Sequence, residues 1–218
     1  MNPKKIDQIG CIDIGSNAIK YKQFRIIAGD NQNYSKELET YKRIPIRLGT
    51  DAFRKGKIRK KTITKLTESL EDLVSNLESK KINLIGGFAT SAMRSASNGS
   101  EVCQHLNAKL NLNIHLLSGD QEAQLLNDLS NSFPADGSYL FVDVGGGSTE
   151  LFYKNSSNVM FKSLNLGAVR IYLEKDHLSE WQDLEAFLAS LGHIRNIVGV
   201  GGNVRSLISI INDDVNNS

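Results

Sequence analysis

The chain has 218 residues, of which 40% are hydrophobic, and its formal net charge is only +2 at pH 7. This length allows one large domain or two small lobes with a sizeable core, and the nearly balanced charge gives no support to non-specific nucleic-acid binding. The two cysteines are isolated, which favours reduced thiols in a cytoplasmic protein. The chain starts with polar residues instead of a signal-like apolar run, and no stretch approaches about 18 apolar residues, so we expect no membrane partner.

The first predicted strand ends in a loop that contains an acid, a glycine and a serine. Residues 9–17 read Ile-Gly-Cys-Ile-Asp-Ile-Gly-Ser-Asn, so an apolar run meets Asp13 and is followed by Gly15 and Ser16. Residues 19–28 have a β-type composition, and residues 34–48 are predicted to form a further strand.

A basic loop is predicted around residues 48–57. Lysine and arginine side chains are concentrated in and beside it: Lys42, Arg43, Arg47, Arg54, Lys55, Lys57, Arg59, Lys60 and Lys61. The run is either a solvated surface or a rim that attracts a polyanion, and the sequence does not decide between the two.

Alternating helices and strands are predicted next. Apolar residues recur at three and four over residues 62–80, which is typical of an amphipathic helix. A buried strand at 82–89 is followed by a segment at 90–95 that contains Arg94. Ligands bind beyond the carboxyl ends of strands in α/β sheets and guanidinium forks match phosphate oxygens, so Arg94 is either a phosphate ligand or a surface cation.

A second helix–strand pair leads to the predicted boundary between lobes. A helix from 98 to 110 and a strand at 113–117 precede a helix at 121–129, which Ser118 is placed to cap. Glu122 falls in the first turn of that helix, where an acid commonly complements the helix dipole. Pro134 and Gly137 mark a linker, so we predict lobes at 1–134 and 135–218.

The second glycine-rich loop lies at residues 140–151, Leu-Phe-Val-Asp-Val-Gly-Gly-Gly-Ser-Thr-Glu-Leu. A plain hairpin turn needs only one or two glycines. Here Asp143 precedes a run from Gly145 to Ser148, and Glu150 closes the loop. Three successive glycines let backbone N–H groups converge on one anion, so the pattern favours a phosphate loop between two strands.

The remaining chain is predicted to continue as α/β structure. Two β-segments are followed by a short helix from 166–170, a helix at 180–191 and a strand at 194–199. A third glycine-rich turn at 199–203 then leads into a helix that ends near residue 211, and the polar residues 213–218 are expected to fray.

The two acid-and-glycine loops form an internal repeat. Residues 13–16, Asp-Ile-Gly-Ser, correspond to residues 143–146, Asp-Val-Gly-Gly, and a β-rich segment follows each. Repetition of a strand–loop–strand unit indicates two related lobes, each offering a phosphate loop to a shared cleft.

These segments, in this order, resemble the exopolyphosphatase/guanosine pentaphosphate phosphatase family, within the actin, sugar-kinase and heat-shock-chaperone superfamily. The matching stretches are 12–20 (IDIGSNAIK), 47–49 with Gly56, 89–98 (ATSAMRSASN), 118–123 (SGDQEA), 142–151 (VDVGGGSTEL), 166–170 (LGAVR) and 198–203 (VGVGGN). The resemblance implies an α/β, two-lobed, actin-like ATPase (ribonuclease H-like) fold. It also implies removal of a terminal phosphate from inorganic polyphosphate, or of the 5′ γ-phosphate from guanosine pentaphosphate, with Mg²⁺.

The resemblance also assigns roles to individual residues. Glu122 corresponds to the catalytic base, and Glu150 is linked to the metal and to water positioning. Asp13, Asp143 and Glu150 are the expected metal-facing acids. The expected phosphate ligands are Gly15, Ser16, Asn17, Arg94, Gly145, Gly146, Gly147 and Ser148. The expected partners are polyphosphate or guanosine penta- and tetraphosphate, with no specific nucleic acid, and a homodimer is left open.

The sequence departs from the family pattern in several places. Gln121 stands where the family has a second glutamate, Ser95 where an acid is frequent and Lys20 where an arginine is frequent. The family also continues beyond the third glycine turn, so the second lobe is expected to be incomplete at its C-terminal end and to lack an edge strand. The alternatives are therefore a non-catalytic binder of polyphosphate or guanosine polyphosphates, or an inactive fragment. A sugar or acetate kinase of the superfamily is a third possibility, which the element around Glu122 disfavours.

Overall fold

The structure is a computed structural model that describes residues 6–28 and 34–216. It divides into two compact units, the first ending at Leu116 and the second beginning at Leu117. The sequence placed this division at 134/135 instead. The difference arises because the helix at 119–130 packs on strands of the second unit, and local composition does not report which sheet a helix will cover.

The first unit is a five-stranded sheet with helices. In chain order its elements are β1 (Ile6–Ile14), β2 (Ile19–Ala28), β3 (Tyr34–Ile44), α1 (Leu48–Lys55), α2 (Lys60–Ser79), β4 (Asn83–Ala89), α3 (Ser91–Ser95), α4 (Gly99–Leu110) and β5 (Ile114–Leu116). The strand order is β3-β2-β1-β4-β5. Strand β1 pairs antiparallel with β2 and parallel with β4, so the loops after β1 and β4 leave the same edge of the sheet.

The core of this unit follows from apolar periodicity. Helix α2 buries Leu66, Leu70, Leu73 and Leu77, which recur at the three- and four-residue spacing of one helix face. Strand β1 contributes Ile12 and Ile14, which are 1% and 0% exposed. Burial of each such side chain stabilises the fold by about 1.5–3 kcal/mol.

The prediction of a basic loop at 48–57 is wrong for most of that segment, because residues 48–55 form helix α1. Its buried side chains include Leu48 and Phe53, which the surrounding cations obscure in the sequence. Gly56 ends the helix with φ of 69°, a left-handed conformation that glycine adopts without strain. The buried Asp51 accepts hydrogen bonds from the Thr62 hydroxyl at 2.6 Å and Arg59 Nε at 2.7 Å, and thereby ties α1 to α2.

The second unit repeats the first four strands of the first. Its elements are α5 (Gly119–Ser130), β6 (Tyr139–Val144), β7 (Thr149–Lys154), β8 (Val159–Leu164), α6 (Ala168–Tyr172), α7 (Leu178–Ser190), β9 (Asn196–Val200) and α8 (Gly201–Asn216). The strand order is β8-β7-β6-β9, with the same antiparallel and parallel pairings as β3-β2-β1-β4. The internal repeat predicted from the two loops is therefore present in the topology.

Both faces of the second sheet carry apolar clusters. One face places Leu140, Leu151, Tyr153 and Leu164 against Phe187 of α7. The other places Tyr139, Phe141 and Phe152 against Leu126 of α5. Helix α5 is thus held by the second unit through its own buried leucine.

The second sheet has four strands where the first has five. Among the described residues, β9 is followed only by α8, and no counterpart of β5 adds to its free edge. The expected incomplete second lobe is confirmed. Helix α8 extends to Asn216, well beyond the end expected near residue 211. In the described part of the chain, no helix combines the length and apolar character that membrane crossing requires.

Candidate functional site

The loop between β6 and β7 is a closed hairpin turn built from the three glycines. Gly145 N–H donates to the Ser148 carbonyl at 2.9 Å. Ser148 is 3% exposed, and the buried Thr149 hydroxyl donates to the Leu166 carbonyl at 2.7 Å. These contacts anchor both ends of the loop against the body of the second unit.

A segment at the start of α6 binds the carbonyl groups of this loop from one side. Ala168 N–H donates to the Gly145 carbonyl at 3.0 Å, and Val169 N–H donates to the Gly146 carbonyl at 2.7 Å. Arg170 Nε donates to the Gly147 carbonyl at 2.7 Å. In a trans peptide the C=O and the following N–H point in opposite directions. The N–H groups of residues 146, 147 and 148 are therefore directed away from α6 and are left for a ligand on the opposite side.

Gly167 allows this close packing behind the loop. A Cβ at position 167 would lie 2.5 Å from Gly147 N and 2.6 Å from Ser148 N. Any larger residue would push the loop backbone out of place. The glycine of the 166–170 stretch is therefore required by close approach of two backbone segments.

The third glycine-rich turn supports the same loop from the neighbouring strand. Strand β9 lies parallel to β6, and Asn203 at the start of α8 donates from Nδ2 to the Val144 carbonyl at 2.6 Å. Gly201 has φ of 89°, and a Cβ there would lie 2.5 Å from Asp143 Oδ1. The roles of Arg170, Asn203 and Gly201 were missed from the sequence. The parallel pairing of β6 and β9 brings Gly201 and Asn203 to the loop, whereas Arg170 reaches it from α6.

Two carboxylates face each other at the base of the loop. Asp143 and Glu150 are direct partners across the β6–β7 ladder. Glu150 is 6% exposed and accepts a hydrogen bond from the Ser163 hydroxyl at 3.1 Å. Burial is the main cause that raises its pKa to about 8, and the negative charges of Glu122 and Asp143 raise it further. Hydrogen bonds from Ser148 and Ser163 oppose this rise.

Glu122 is positioned by the capped start of α5. The Ser118 hydroxyl accepts from Gln121 N–H at 3.1 Å, and Gln121 Oε1 accepts from Ser118 N–H at 2.8 Å. This reciprocal capping box works equally with Gln or Glu, so Gln121 fulfils a structural role in the place of the family's glutamate. The negative charge of Glu122 contributes to the raised pKa of Glu150, which indicates that the two acids lie near each other in the second unit.

The donor set fits a hard cation that keeps part of its water shell. In residues 6–28 and 34–216, no group of three or more His, Cys, Asp or Glu side chains is arranged to hold a metal. Mg²⁺ is usually held by one or two carboxylates, with waters and substrate phosphates as the other ligands. Asp143 and Glu150 satisfy that requirement, because they are two carboxylates on directly opposite positions of neighbouring strands.

The first unit contains the corresponding loop with a different partner for its acid. Gly15 N–H donates to the Ala18 carbonyl at 3.1 Å, as Gly145 does in the second loop. Ser16 is buried, and its carbonyl accepts from Gly49 N–H at 2.8 Å. Asp13 pairs with Lys20, whose Nζ lies 2.9 Å from Oδ2. Lys20 occupies the ladder position opposite Asp13 that Glu150 occupies opposite Asp143.

Arg94 lies in α3 at the same edge of the first sheet. Thr90 N–H donates to the Ile14 carbonyl at 3.3 Å, and Arg94 N–H donates to the Thr90 carbonyl at 3.0 Å. These bonds connect the α3 segment to the end of β1, so Arg94 and the loop at Gly15, Ser16 and Asn17 share one region of the unit. The sequence-predicted site residues thus form one group in each unit, and a shared cleft between them stays a prediction.

Comparison with known proteins shows what this chain is similar to. Residues 31–188 match the model of the Ppx/GppA phosphatase family. The guanosine-5′-triphosphate,3′-diphosphate pyrophosphatase of Aeromonas salmonicida is 25% identical, with 92% of this chain and 43% of that protein aligned. Its counterpart from Pseudoalteromonas translucida is 29% identical over 75% of this chain and 32% of its own length. The chain therefore spans less than half the length of these curated relatives.

Solved structures show the same fold. An exopolyphosphatase from Cytophaga hutchinsonii has a TM-score of 0.76 at 20% identity, covering 94% of this chain and 70% of its own. The Aquifex aeolicus Ppx/GppA family member has a TM-score of 0.69 at 23% identity, covering 91% and 67%. The expected two-lobed actin-like fold is thereby confirmed, together with the incompleteness of its second lobe.

Proposed function

The chain belongs to the Ppx/GppA phosphatase family, and from this premise we propose that it is a Mg²⁺-dependent phosphohydrolase acting on inorganic polyphosphate or guanosine pentaphosphate. The observation that carries the proposal is the loop at 145–148, whose carbonyl groups are bound from the α6 side so that its N–H groups face the other way, in the unit that also holds the buried Glu150 and the nearby charge of Glu122. A phosphate nest next to two interacting acids suits phosphoryl transfer to water better than binding alone.

Phosphate recognition is assigned to the two loops and Arg94. The N–H groups of Gly146, Gly147 and Ser148 would donate to the terminal phosphate from fixed positions. By internal symmetry, the loop at Gly15, Ser16 and Asn17 would bind phosphate oxygens in the same way. The Arg94 guanidinium would neutralise charge on the phosphates and hold their oxygens in a fork.

Charge neutralisation at the reacting phosphate is the second requirement. Asp143 and Glu150, with Asp13 by resemblance, are the residues that would hold Mg²⁺, which would supply positive charge at the phosphate oxygens. Asp13 already has Lys20 as a cationic partner, whereas the two acids of the second loop face each other. The second loop supplies two opposed carboxylates, so we assign the metal to it.

Water activation is assigned to Glu122. The water oxygen would bond to the terminal phosphorus as the bridging P–O bond breaks, and Glu122 would accept the proton that the water loses. The departing phosphate chain would keep the electron pair of the broken bond. The capping box at Ser118 and Gln121 holds the helix that carries this base, so the base is preorganised before substrate binds.

Long polyphosphate is the proposed preferred substrate over guanosine pentaphosphate. Arg54, Lys55 and Lys57 are exposed around the end of α1, and such a patch attracts a linear polyanion at long range. Arg59 contributes less to this attraction because it pairs with the buried Asp51. The similar proteins carry both names, exopolyphosphatase and guanosine polyphosphate pyrophosphatase, so the patch is the feature that favours one substrate.

A non-catalytic binder of the same polyanions is the second candidate. It is favoured by the four-stranded second sheet and by the share of the curated relatives that this chain spans. Phosphate release from long-chain polyphosphate, measured with Mg²⁺ and with EDTA, separates the two. Mg²⁺-dependent release supports the hydrolase, and polyphosphate binding without release supports the binder.

A further inference from the structure

We propose that Arg170 is a positioning residue that sets the shape of the phosphate loop at residues 145–148. The inference rests on the proposed function of that loop and adds a residue to it. Arg170 lies in α6, behind the loop, and its guanidinium Nε donates to the Gly147 carbonyl at 2.7 Å. Its backbone N–H also donates to the Gly146 carbonyl at 3.3 Å.

Arg170 is itself held by a chain of polar contacts. Its Nη2 lies 3.5 Å from Asn165 Oδ1. Both the backbone N–H and the side-chain Nδ2 of Asn165 donate to the Glu180 carboxylate, each at 2.8 Å. The guanidinium is therefore connected, through Asn165, to an acid in the first turn of α7. These contacts restrict the guanidinium to one orientation toward the loop.

The Gly147–Ser148 peptide transmits this orientation to the phosphate side. Because the Gly147 carbonyl points at Arg170, the Ser148 N–H on the same peptide must point the opposite way. Gly146 and Gly147 have no Cβ, so their peptides can rotate at little steric cost. Without Arg170, the Gly147 carbonyl loses its side-chain hydrogen bond, and any turn of its oxygen toward a bound phosphate would repel the anion.

The consequence extends to the neighbouring acid. The Ser148 side chain hydrogen-bonds to Glu150, and Ser148 is almost fully buried. A change in the Gly147–Ser148 peptide therefore disturbs two hydrogen-bond donors: the Ser148 N–H that would bind phosphate and the Ser148 side chain that binds Glu150. Arginine suits the position because its planar fork reaches a backbone carbonyl and a side-chain amide together, which the single ammonium of lysine does not reproduce.

The test compares Arg170→Met and Arg170→Lys with Arg195→Met, which removes an exposed cation of the same unit. Amide NMR signals of Gly146, Gly147 and Ser148 are recorded without ligand, and binding of inorganic tripolyphosphate is then titrated. We expect Arg170→Met to shift or broaden these amide signals in the free protein. Binding should weaken about ten- to a hundredfold, the loss typical when one N–H donor to a charged group, here Ser148 N–H to the phosphate, is misdirected. Arg170→Lys should lie between Arg170→Met and the native protein, and Arg195→Met should change neither readout.

Unchanged amide signals of Gly146, Gly147 and Ser148 in the free Arg170→Met and Arg170→Lys proteins would overturn the inference. This holds even if tripolyphosphate binding falls, because Arg170 would then bind the phosphate directly instead of positioning the loop. If Arg170→Met does not fold, the same criterion applies to Arg170→Lys alone. Altered amides in a protein whose native form binds no tripolyphosphate would uphold the positioning role and contradict the proposed function instead.

Discussion

Asp143 and Glu150 are direct partners across the β6–β7 ladder, and the equivalent pair in the first unit is Asp13 with Lys20. The repeated scaffold thus presents an acid–cation pair in one unit and an acid–acid pair in the other. The first pair neutralises itself through a contact of 2.9 Å. In the second pair, burial of Glu150 and the nearby charges of Asp143 and Glu122 favour its protonated form, which is a physical reason for a proton or a metal ion to bind there.

The acid–acid pair makes stability depend on pH. The pKa of Glu150 is raised from 4.5 to about 8 in the folded state, so the folded protein holds this proton more tightly than the unfolded chain does. The stabilisation is complete below about pH 4.5 and is lost as pH rises through about 8. With EDTA present to remove metal ions, the free energy of unfolding of the native protein should therefore fall as the pH rises from about 4.5 to about 8, because the contribution of Glu150 is lost.

Glu150→Gln should remove this part of the pH dependence, because a neutral amide replaces the titrating carboxyl. Denaturant unfolding at pH 5, 7 and 9 measures the difference, and Asp128→Asn, on the exposed side of α5, serves as the matched control. Parallel stability curves for the native and Glu150→Gln proteins would show that Glu150 is not the titrating group. In activity assays, Glu150→Gln should also change the Mg²⁺ concentration needed for turnover.

Gly167→Ala should damage the phosphate loop through backbone contact. The added Cβ would lie 2.5 Å from Gly147 N, so the loop must move, at a cost of about 1–3 kcal/mol in the free energy of unfolding. Gly202→Ala is the control, because a Cβ at position 202 would lie 4.0 Å from Arg205 Nη2, which is an ordinary van der Waals contact. The free energy of unfolding in urea and the affinity for tripolyphosphate should both fall for Gly167→Ala and remain near native for Gly202→Ala. Native-like values for both variants would exclude the tight packing of α6 on the loop.

Arg94→Ala should chiefly weaken substrate binding. Loss of a charge-assisted Arg–phosphate bond typically costs about 1.5–3 kcal/mol, which corresponds to roughly a ten- to hundredfold rise in KM for polyphosphate. Initial-rate kinetics with Arg195→Ala as the control measure the effect. A native KM for Arg94→Ala would leave Arg94 as a surface cation, the alternative that the sequence allowed.

The basic patch at the end of α1 should influence the capture of long polyphosphate. Replacing Arg54, Lys55 and Lys57 together by Gln should raise KM for polyphosphate at low salt, with a smaller effect near physiological ionic strength, where the Debye length is about 8 Å. A control triple at Lys36, Lys65 and Lys80 removes the same charge from exposed positions elsewhere in the unit. Equal effects of the two triples, or no effect of the first at low salt, would remove the argument for polyphosphate preference.

Much of the fold was predictable because its signals are local. Apolar runs that end at Asp13 and Asp143 predicted two strands, and the glycines after them predicted the loops and the internal repeat. Helix α1 was missed because its buried face, with Leu48 and Phe53, is short and surrounded by cations. The placement of α5 was missed because it depends on packing against β7 and β8, which no local pattern reveals.

The candidate site was predicted from two kinds of signal. The roles expected of Glu122 and Glu150 come from the family resemblance, whereas the residues of both loops and Arg94 stand out by type and position. Arg170 and Asn203 do not, because they act on loop carbonyls that lie 23 and 59 positions away in the chain. Their contribution depends on where α6 and α8 begin relative to the loop, and a single sequence contains no information on those distances.

The central claim is that Glu122 accepts a proton from the attacking water. The most direct test is the rate of phosphate release from long-chain polyphosphate with Mg²⁺, measured for the native protein and for Glu122→Gln. Asp120→Asn is the control, because it alters an exposed acid in the same helical turn. Loss of a general base typically lowers a rate by about 10²–10⁴-fold. We predict such a fall in kcat for Glu122→Gln, with polyphosphate affinity nearly unchanged and Asp120→Asn near native. A native kcat in Glu122→Gln would contradict the mechanism and leave Glu122 as an acid that only complements the dipole of its helix.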